Sequence, residues 1–166
     1  MGGSDPAGMT EFALRALDSL PMPLAVRVVV GPGFAGGVEL HDAIARSTHC
    51  VQVSIAPASL QPLMQASRIA VASFGVTAYE LAACGVPAVH LCLTGDHARS
   101  SSAFDLEGIA HTLGVFGQVA PQQVADAVMR LMGNAGRRTT IAAHARTLID
   151  GRGAKRVAAL IAAGLS

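Results

Sequence analysis

The sequence predicts an α/β domain built on a doubly wound parallel sheet. Short runs of β-branched residues alternate with longer segments rich in Ala and Leu, and the short runs are predominantly apolar. A strand that is apolar on both sides needs helices on both faces of its sheet, and right-handed crossovers between parallel strands supply them. The length of 166 residues suits one domain with a core of its own.

The elements follow one another in the order expected of such a sheet. Strands are predicted at residues 24–30, 51–55, 69–73 and 88–93, with a short edge strand at 112–117. Helices are predicted around them, at residues 9–20, 37–47, 59–67, 77–84 and 98–110. From residue 121 onward the chain is expected to be wholly helical, in segments at 121–133, 137–150 and 154–165.

The first helix has an unusual beginning, because the chain opens on the turn "MGGSDP". A glycine-rich turn before a helix normally follows a strand, and no strand precedes this one. We therefore expect residues 1–166 to form a single domain of a two-domain protein, with the first strand and an N-terminal domain missing. A missing strand would leave unpaired sheet edges, which favour a homodimer.

Composition and charge exclude several kinds of partner. The formal net charge is +1, aromatic residues make up 4% of the chain and no run of Lys and Arg is present, so nucleic acid is not an expected partner. No apolar run approaches the roughly 18 residues that span a membrane, and the N-terminus lacks the pattern of a signal peptide.

The three cysteines point to a reducing compartment. Cys50, Cys84 and Cys92 are odd in number and share no CxxC spacing. This pattern predicts three buried thiols of a cytoplasmic protein rather than disulfides or a zinc site. No metal and no cofactor are predicted.

Candidate ligand-binding residues lie where the strands end. In an open α/β sheet, ligands bind beyond the carboxyl ends of the strands. The opening turn and the segments after each predicted strand are therefore the candidates, at residues 2–5, 31–37, 56–61, 74–80 and 94–99.

The stretch "SFGVTAYE" is the most informative of these segments. Ser73 ends a strand, Gly75 permits a sharp turn, and Thr77 is placed to cap the next helix. Thr77 and Glu80 have the spacing of a capping box, so one hypothesis is that they cap each other. The other hypothesis is that a diphosphate binds the free N–H groups of the helix end, with Glu80 accepting hydrogen bonds from ribose hydroxyls.

Two other glycine turns differ in what they predict. The paired glycines of "GGSDP" allow a ligand to approach the backbone, although Ser4 or Asp5 as a simple helix cap is the alternative. The loop "GPGFAGG" lacks a Walker lysine and does not match GxGxxG. Neither a P-loop nor a dinucleotide fingerprint is therefore predicted there.

The loop "LTGDHARSSSA" follows the fourth strand and carries Asp96 and His97. His97 is a candidate for contact with a phosphate or a sugar hydroxyl. The alternative is a solvated loop in which Asp96 caps the next helix. Of the other histidines, His90 is predicted to be a core residue with satisfied hydrogen bonds, and His49 a surface residue.

The chain offers no catalytic constellation. No Ser–His–Asp order, paired carboxylates or metal-ligand spacing stands out, so no catalytic residue is predicted. The residues by themselves indicate a ligand-binding α/β domain with two anion-binding turns.

Three motifs in this order resemble one family: "GGSDP", "SFGVTAYELAACGVPAV" and "LIDGRGAKRV". They are similar to the C-terminal half of the UDP-sugar hydrolases of pseudaminic acid biosynthesis and the related spore-coat polysaccharide biosynthesis proteins. These in turn resemble the UDP-N-acetylglucosamine transferase of peptidoglycan synthesis. The resemblance covers nearly the whole chain and implies the C-terminal half of a GT-B architecture, in which two Rossmann-like domains face each other across a cleft.

The resemblance implies a UDP site and a role for each matching residue. It assigns the diphosphate to Gly3, Ser4, Gly75, Val76 and Thr77. It assigns the ribose to Glu80 and the uracil to the backbone of Ser59, Leu60 and Gln61. The UDP-sugar would be the partner of this domain.

Two departures from the family limit what the resemblance implies. Relatives commonly carry Asn-Gln where this chain has Asp96 and His97, which leaves the sugar open. The catalytic histidine of the hydrolases lies in their N-terminal domain and has no counterpart here. The expected function is UDP-sugar binding within a nucleotide-sugar hydrolase of surface polysaccharide or nonulosonic acid biosynthesis. The alternatives are the donor domain of a UDP-sugar glycosyltransferase and a nucleotide-binding module without catalysis.

Overall fold

The computed structural model describes residues 1, 4–34 and 37–164. Its strands are β1 (Ala25–Val30), β2 (Cys50–Ile55), β3 (Ala70–Ser73), β4 (Ala88–Cys92) and β5 (His111–Val115). Its helices are α1 (Met9–Leu17), α2 (Val38–Arg46), α3 (Gln61–Gln65), α4 (Val76–Cys84), α5 (Gly95–Leu106), α6 (Pro121–Met132), α7 (Ala135–Leu148) and α8 (Gly153–Gly164), with a short 3-10 helix at Phe116–Gln118. Every predicted strand and helix is present in the predicted order.

The start of α5 differs most from the predicted start of its helix. α5 starts at Gly95 rather than at residue 98, because Thr94 caps it. The hydroxyl oxygen of Thr94 accepts a hydrogen bond from the backbone N–H of His97 at 3.2 Å. Asp96 and His97 therefore belong to the first turn of α5. The hypothesis that they lie in a solvated loop, with Asp96 as the cap of the next helix, is wrong.

All strand pairs are parallel, and the strands fall into two sheets. β1 pairs with β2, with Ala25 opposite Cys50 and Val30 opposite Ile55. In the second sheet β4 lies between β3 and β5. Among the described residues, no strand pairs with the second edge of β1 or with the second edge of β3.

The core is centred on β4, whose five residues are all buried. Val89 and Leu91 pack on the face that α1 and α6 cover. Ala88 and Cys92 pack on the opposite face, against α4 and α5. This double cover is what the continuous apolar run of β4 predicted.

The sheet of β1 and β2 is covered on one face only. Val28 and Val30 pack against α1 and α2. Arg27 lies on the other face, where its guanidinium donates a hydrogen bond to Oε1 of Gln52 at 2.8 Å, and both side chains are exposed. The prediction of helices on both faces is wrong for this part of the sheet, because α3, the connection after β2, is only five residues long.

Two single-residue predictions are wrong at the start of β2. Cys50 is exposed rather than buried, whereas Cys84 is half-buried and Cys92 is buried. His49 is buried rather than exposed, because its Nδ1 accepts a hydrogen bond from the backbone N–H of Leu24 at 3.3 Å.

His90 lies in the core as predicted, but its hydrogen bonds are not satisfied. The ring packs edge-on against Phe74 and Phe104, with centroid distances of 5.7 Å in both cases. Neither ring nitrogen has a hydrogen-bond partner within the described part of the chain. Burial lowers the pKa of His90 to about 4, so the ring is neutral near pH 7.

The Gly-X-Pro segment ends α4, with Gly85 in the left-handed conformation that commonly terminates a helix. Gly85 has a φ of 68°, and the N–H of Val86 donates to the carbonyl of Leu81 at 2.9 Å. The guanidinium of Arg146, in α7, lies over Gly85 and donates to the carbonyl of Cys84 at 2.7 Å. The backbone angle favours glycine at this position, and a Cβ there would lie 2.5 Å from Nε of Arg146 and displace its guanidinium.

The motif "LIDGRGAKRV" forms the junction between α7 and α8. The Asp150 carboxylate accepts hydrogen bonds from the guanidinium of Arg156 at 2.7 Å and from the N–H of Arg152 at 2.9 Å. The bond from Arg156 is the main reason that the pKa of Asp150 lies below its usual value. This arrangement fixes the start of α8, a helix in which no described residue is buried.

None of the helices in residues 1, 4–34 and 37–164 is long and apolar enough to cross a membrane.

Candidate functional site

Two cavities open at the carboxyl edge of the strands, and the turn before α1 lines both. The first, of about 340 Å³, lies between Ser4–Asp5 and Phe34, which follows β1. The second, of about 250 Å³, lies between the same turn and Ser73–Phe74, at the end of β3. The opening turn therefore lies between the carboxyl ends of β1 and β3.

The first cavity is the more acidic of the two. Glu11 and Glu39 line it together with Asp5. Carboxylates in a common cavity repel a phosphate group. The second cavity is therefore the better candidate for a charged ligand.

The second cavity presents three neutral polar side chains against an apolar wall, and its one carboxylate, Asp5, is paired with the Met1 ammonium group. Ser4, Ser73 and His97 contribute the polar groups, and Phe74 and Leu93 form part of the wall. Nδ1 of His97 is buried and has no hydrogen-bond partner among the described residues. The ring of His97 therefore has an unused hydrogen-bonding atom next to the cavity that the residue lines.

Asp5, which lines both cavities, is already engaged by its own turn. Its carboxylate accepts hydrogen bonds from the N–H groups of Met9 at 3.1 Å and Thr10 at 2.8 Å, and lies 2.5 Å from the Met1 ammonium group. Burial alone would raise the pKa of Asp5, but the hydrogen bonds from the ammonium group and Thr10 hold it below its usual value. Asp5 has a positive φ of 43°, a conformation that strains the backbone of this turn.

The first turn of α4 has no side-chain cap. The helix begins at Val76 with Gly75 in the N-cap position, and no side chain in the described part accepts a hydrogen bond there. Thr77 is therefore the second residue of the helix, and the hypothesis that Thr77 and Glu80 cap each other is wrong. The free N–H groups of this turn remain available to an anion.

Glu80 is exposed, one turn along α4. No hydrogen bond or ion pair from a described residue reaches its carboxylate. The Glu80 carboxylate therefore has no structural role in the described part of the chain, and it lies one turn from the uncapped start of α4.

Asp96 and His97 differ in their pairing and in their position relative to the second cavity. Asp96 is ion-paired with Arg99 one turn further along α5, and both side chains are exposed. His97 is half-buried and lines the second cavity. Of the two, His97 is the residue that the structure brings to the cavity.

Ser59, Leu60 and Gln61 lie at the start of α3, beside α4. Leu60 packs with the buried face of α4, and the Ser59 hydroxyl oxygen accepts a hydrogen bond from the N–H of Gln61 at 3.3 Å. Ala56, just before this segment, has a φ of 42°, which an L-residue rarely adopts. Strained backbone of this kind is common at ligand-binding edges.

The structure brings some predicted site residues together and leaves others apart. Ser4 and His97 share the second cavity, and Gly75 follows Phe74 directly in the chain. The predicted site residues that do not line the cavity are Gly75, Val76, Thr77, Glu80, Asp96 and the segment 59–61. Gly3 lies outside the described residues.

Phe74 of the cavity wall lay within the candidate segment 74–80, but sequence reasoning gave it no role, and it missed Leu93. Both stand directly after a predicted strand or at its last position, and that placement was the available signal. No group of His, Cys, Asp and Glu within the described ranges could hold a metal ion.

No family model and no curated protein matches the sequence. Solved structures do match the fold. MurG of Acinetobacter baumannii is 22% identical with a TM-score of 0.80, over 96% of this chain and 47% of that one. WaaG, a glycosyltransferase involved in lipopolysaccharide biosynthesis, is 18% identical with a TM-score of 0.66, over 89% of this chain and 41% of that one. The spinosyn forosaminyltransferase SpnP is 19% identical with a TM-score of 0.62, over 93% of this chain and 38% of that one.

These similarities confirm the predicted fold class. The chain has the fold of the C-terminal Rossmann-like domain of GT-B glycosyltransferases, and it spans less than half the length of these structures. The more specific resemblance to the pseudaminic acid hydrolases is not confirmed.

Proposed function

We propose that this chain is the nucleotide-sugar-binding half of a GT-B glycosyltransferase and that its donor is a UDP-sugar. The observation that carries the proposal is the second cavity, where the turn before α1 meets the end of β3 and the first turn of α5. Three segments that follow strands or begin helices meet there, which is the position of ligands in doubly wound sheets.

The site would hold the diphosphate through backbone groups. The first N–H groups of α1 are already bound by the Asp5 carboxylate. The turn at Ser4 and the uncapped turn of Gly75, Val76 and Thr77 offer N–H groups, and α4 adds the positive end of its dipole. These donors are fixed before the ligand arrives, so they would stabilise the negative charge that develops on a UDP leaving group. The nearest arginine on α5, Arg99, is already paired with Asp96.

The remaining contacts follow from where each residue lies. Glu80 would accept hydrogen bonds from the ribose hydroxyls, and the backbone of Ser59, Leu60 and Gln61 would face the uracil. His97 would contact the sugar or the phosphate, whereas Asp96 is occupied by its ion pair. The choice of UDP rests on the resemblance of the three motifs to UDP-binding proteins.

Transfer is favoured over hydrolysis. Two of the similar structures described above, WaaG and SpnP, are named as transferases. The hydrolase of surface polysaccharide or nonulosonic acid biosynthesis has no such support. In a GT-B protein, the acceptor, or the water of a hydrolase, would be held by the facing N-terminal domain. A two-domain protein that released free sugar from the UDP-sugar without any acceptor would favour the hydrolase.

Calorimetric titration of the full chain with UDP, UMP and ADP tests the proposal. UDP is expected to bind one to one and more tightly than UMP, which lacks the second phosphate, and more tightly than ADP, which carries another base. Failure of UDP to bind would contradict the proposal. Equal affinity for UDP and UMP would contradict the diphosphate site, and equal affinity for UDP and ADP would contradict the uracil contact.

A further inference from the structure

The outer edge of β2 is unpaired in the part of the chain that the structure describes. β2 pairs with β1 on one side, and no described strand lies on its other side. Proteins usually protect such an edge with a charged side chain, a proline or a bulge, because open edges pair readily with other strands. The β2 sequence, "CVQVSI", contains neither a charge nor a proline, and its register with β1 is continuous. The sequence of β2 therefore does not oppose pairing at this edge.

Two apolar side chains of β2 are left exposed beside this edge. In the register with β1, Val53 lies opposite Val28. Ile55 likewise lies opposite Val30, so the two pairs share one face of the sheet. The two β1 residues are buried against α1 and α2, whereas the two β2 residues are 44% and 74% exposed. The helical cover therefore ends before this edge, and a partner beside β2 would bury apolar surface.

The hydrogen bonds to β1 show which backbone groups of β2 face outward. In a parallel pair, successive residues of a strand point their N–H and C=O groups alternately to one side and to the other. The N–H groups of Cys50 and Ala56, at the two ends of β2, donate to carbonyls on the β1 side at 2.9 and 2.8 Å. The outward groups are therefore those of Val51, Val53 and Ile55.

β2 is self-complementary in an antiparallel pair. In such a pair, opposite residues share a face, and each hydrogen-bonded pair exchanges two bonds. A two-fold axis at Val53 satisfies both conditions, because it sets Val53 opposite Val53 of the second copy and Val51 opposite Ile55. These pairs are apolar and use the outward backbone groups. On the other face, Gln52 lies opposite Ser54, which is a polar pair.

The charges of α2, the helix between β1 and β2, fit the same arrangement. Glu39 lies in its first turn and Arg46 in its last turn, and both are exposed. The ion pair that Arg46 makes with Asp42 of its own helix is long, at 3.8 Å. A two-fold axis at the β2 edge makes the two α2 helices antiparallel. The acidic start of each helix then lies at the level of the basic end of the other, with the helix dipoles opposed.

We propose that the outer edge of β2 binds a second copy of this chain, through antiparallel pairing of the two β2 strands about Val53. The two sheets of two strands would become one continuous sheet of four. The occupant is a second copy because the faces, the outward backbone groups and the end charges of α2 all match in one register. This edge lies on the opposite side of the β1–β2 sheet from the unpaired edge of β1. The proposal depends neither on UDP binding nor on what precedes Met1.

Sedimentation velocity and residue-level amide exchange by NMR test the proposal on the full chain at low and high protein concentration. A reductant is present throughout, because Cys50 is exposed. A dimer is expected to form as the concentration rises. Exchange of the Val51, Val53 and Ile55 amides is expected to slow by about tenfold or more in the dimer, since these amides gain hydrogen bonds.

Val53→Lys tests the register and the edge together. The two lysines would lie directly opposite each other on the axis, and like charges in that position oppose pairing. This variant is expected to weaken dimerisation by about tenfold or more. The matched control is Leu160→Lys, at another exposed apolar residue, on α8. It is expected to dimerise like the wild type.

Four outcomes would overturn the proposal. The first is a wild-type chain that stays monomeric at every concentration. The second is a dimer in which exchange of the three outward amides does not slow, which would place the interface elsewhere. The third is an equal loss of dimerisation in Val53→Lys and Leu160→Lys, which would indicate unspecific apolar association. The fourth is slow exchange of the same amides in the monomer, which would show that another segment covers the edge. The exchange measurement uses the wild type alone, so it decides the matter even if a variant fails to fold.

Discussion

Lowering the pH from 6.5 to 4 is expected to reduce the free energy of unfolding by about 3 kcal/mol through His90 alone. The buried ring has a pKa of about 4, whereas in the unfolded chain the pKa is 6.5. Because the folded state favours the neutral ring, this contribution is fully present above pH 6.5 and is lost as the pH falls toward 4. Below pH 4 both states are protonated and no further loss is expected from this residue.

Urea unfolding of the wild-type chain and of His90→Leu between pH 4 and 8 measures this effect. The free energy of unfolding of the His90→Leu variant is expected to lack the steep decrease between pH 6.5 and 4. At pH 8 it should be as stable as the wild type or more stable, because leucine removes two unsatisfied ring nitrogens from the core. His41→Gln, at an exposed position, is the control and should keep the wild-type slope. If the free energy of unfolding fell with pH equally in the wild type and in His90→Leu, the account would be contradicted.

Glu80→Ala is expected to weaken UDP binding by about 1–3 kcal/mol through the loss of charge-assisted hydrogen bonds to the ribose. The change should leave stability within about 0.5 kcal/mol of the wild type, because the carboxylate is exposed and does not cap α4. Binding is measured by calorimetry and stability by urea unfolding of the same samples.

The matched control is Glu107→Ala. Glu107 is also an exposed glutamate on a helix of this domain, but it lies at the C-terminal end of α5, away from the cavities at its other end. This variant should bind UDP like the wild type. Unchanged affinity in Glu80→Ala, or an equal loss in the two variants, would remove Glu80 from the ribose site.

The fold was predictable from the sequence because its strongest signals are local. The apolar run of β4 needed helices on both faces, and the structure has them. Arg27 carried the opposite information about β1, since a charged residue within an apolar run marks a face without cover. The start of α5 was harder to predict, because Thr94 and Asp96 were both eligible caps and only the backbone geometry distinguishes them.

The candidate site was predictable only in part, since it depends on contacts between distant segments. The position of Gly75 after a strand identified an anion-binding turn, but spacing alone also allowed Thr77 to cap Glu80, and the helix start at Val76 was needed to exclude this. The shared cavity of Ser4 and His97 joins residues more than half the chain apart, and no local pattern reports such a contact. The missing partners of His90 are likewise a property of packing.

Amide chemical-shift mapping during a titration with UDP tests the central claim most directly, because it reports where the nucleotide binds. The account predicts that the largest shifts fall on Ser4, Gly75 to Thr77 and His97, around the second cavity. Shifts centred on Glu11 and Glu39, at the acidic cavity, or no shifts at saturating UDP, would contradict it.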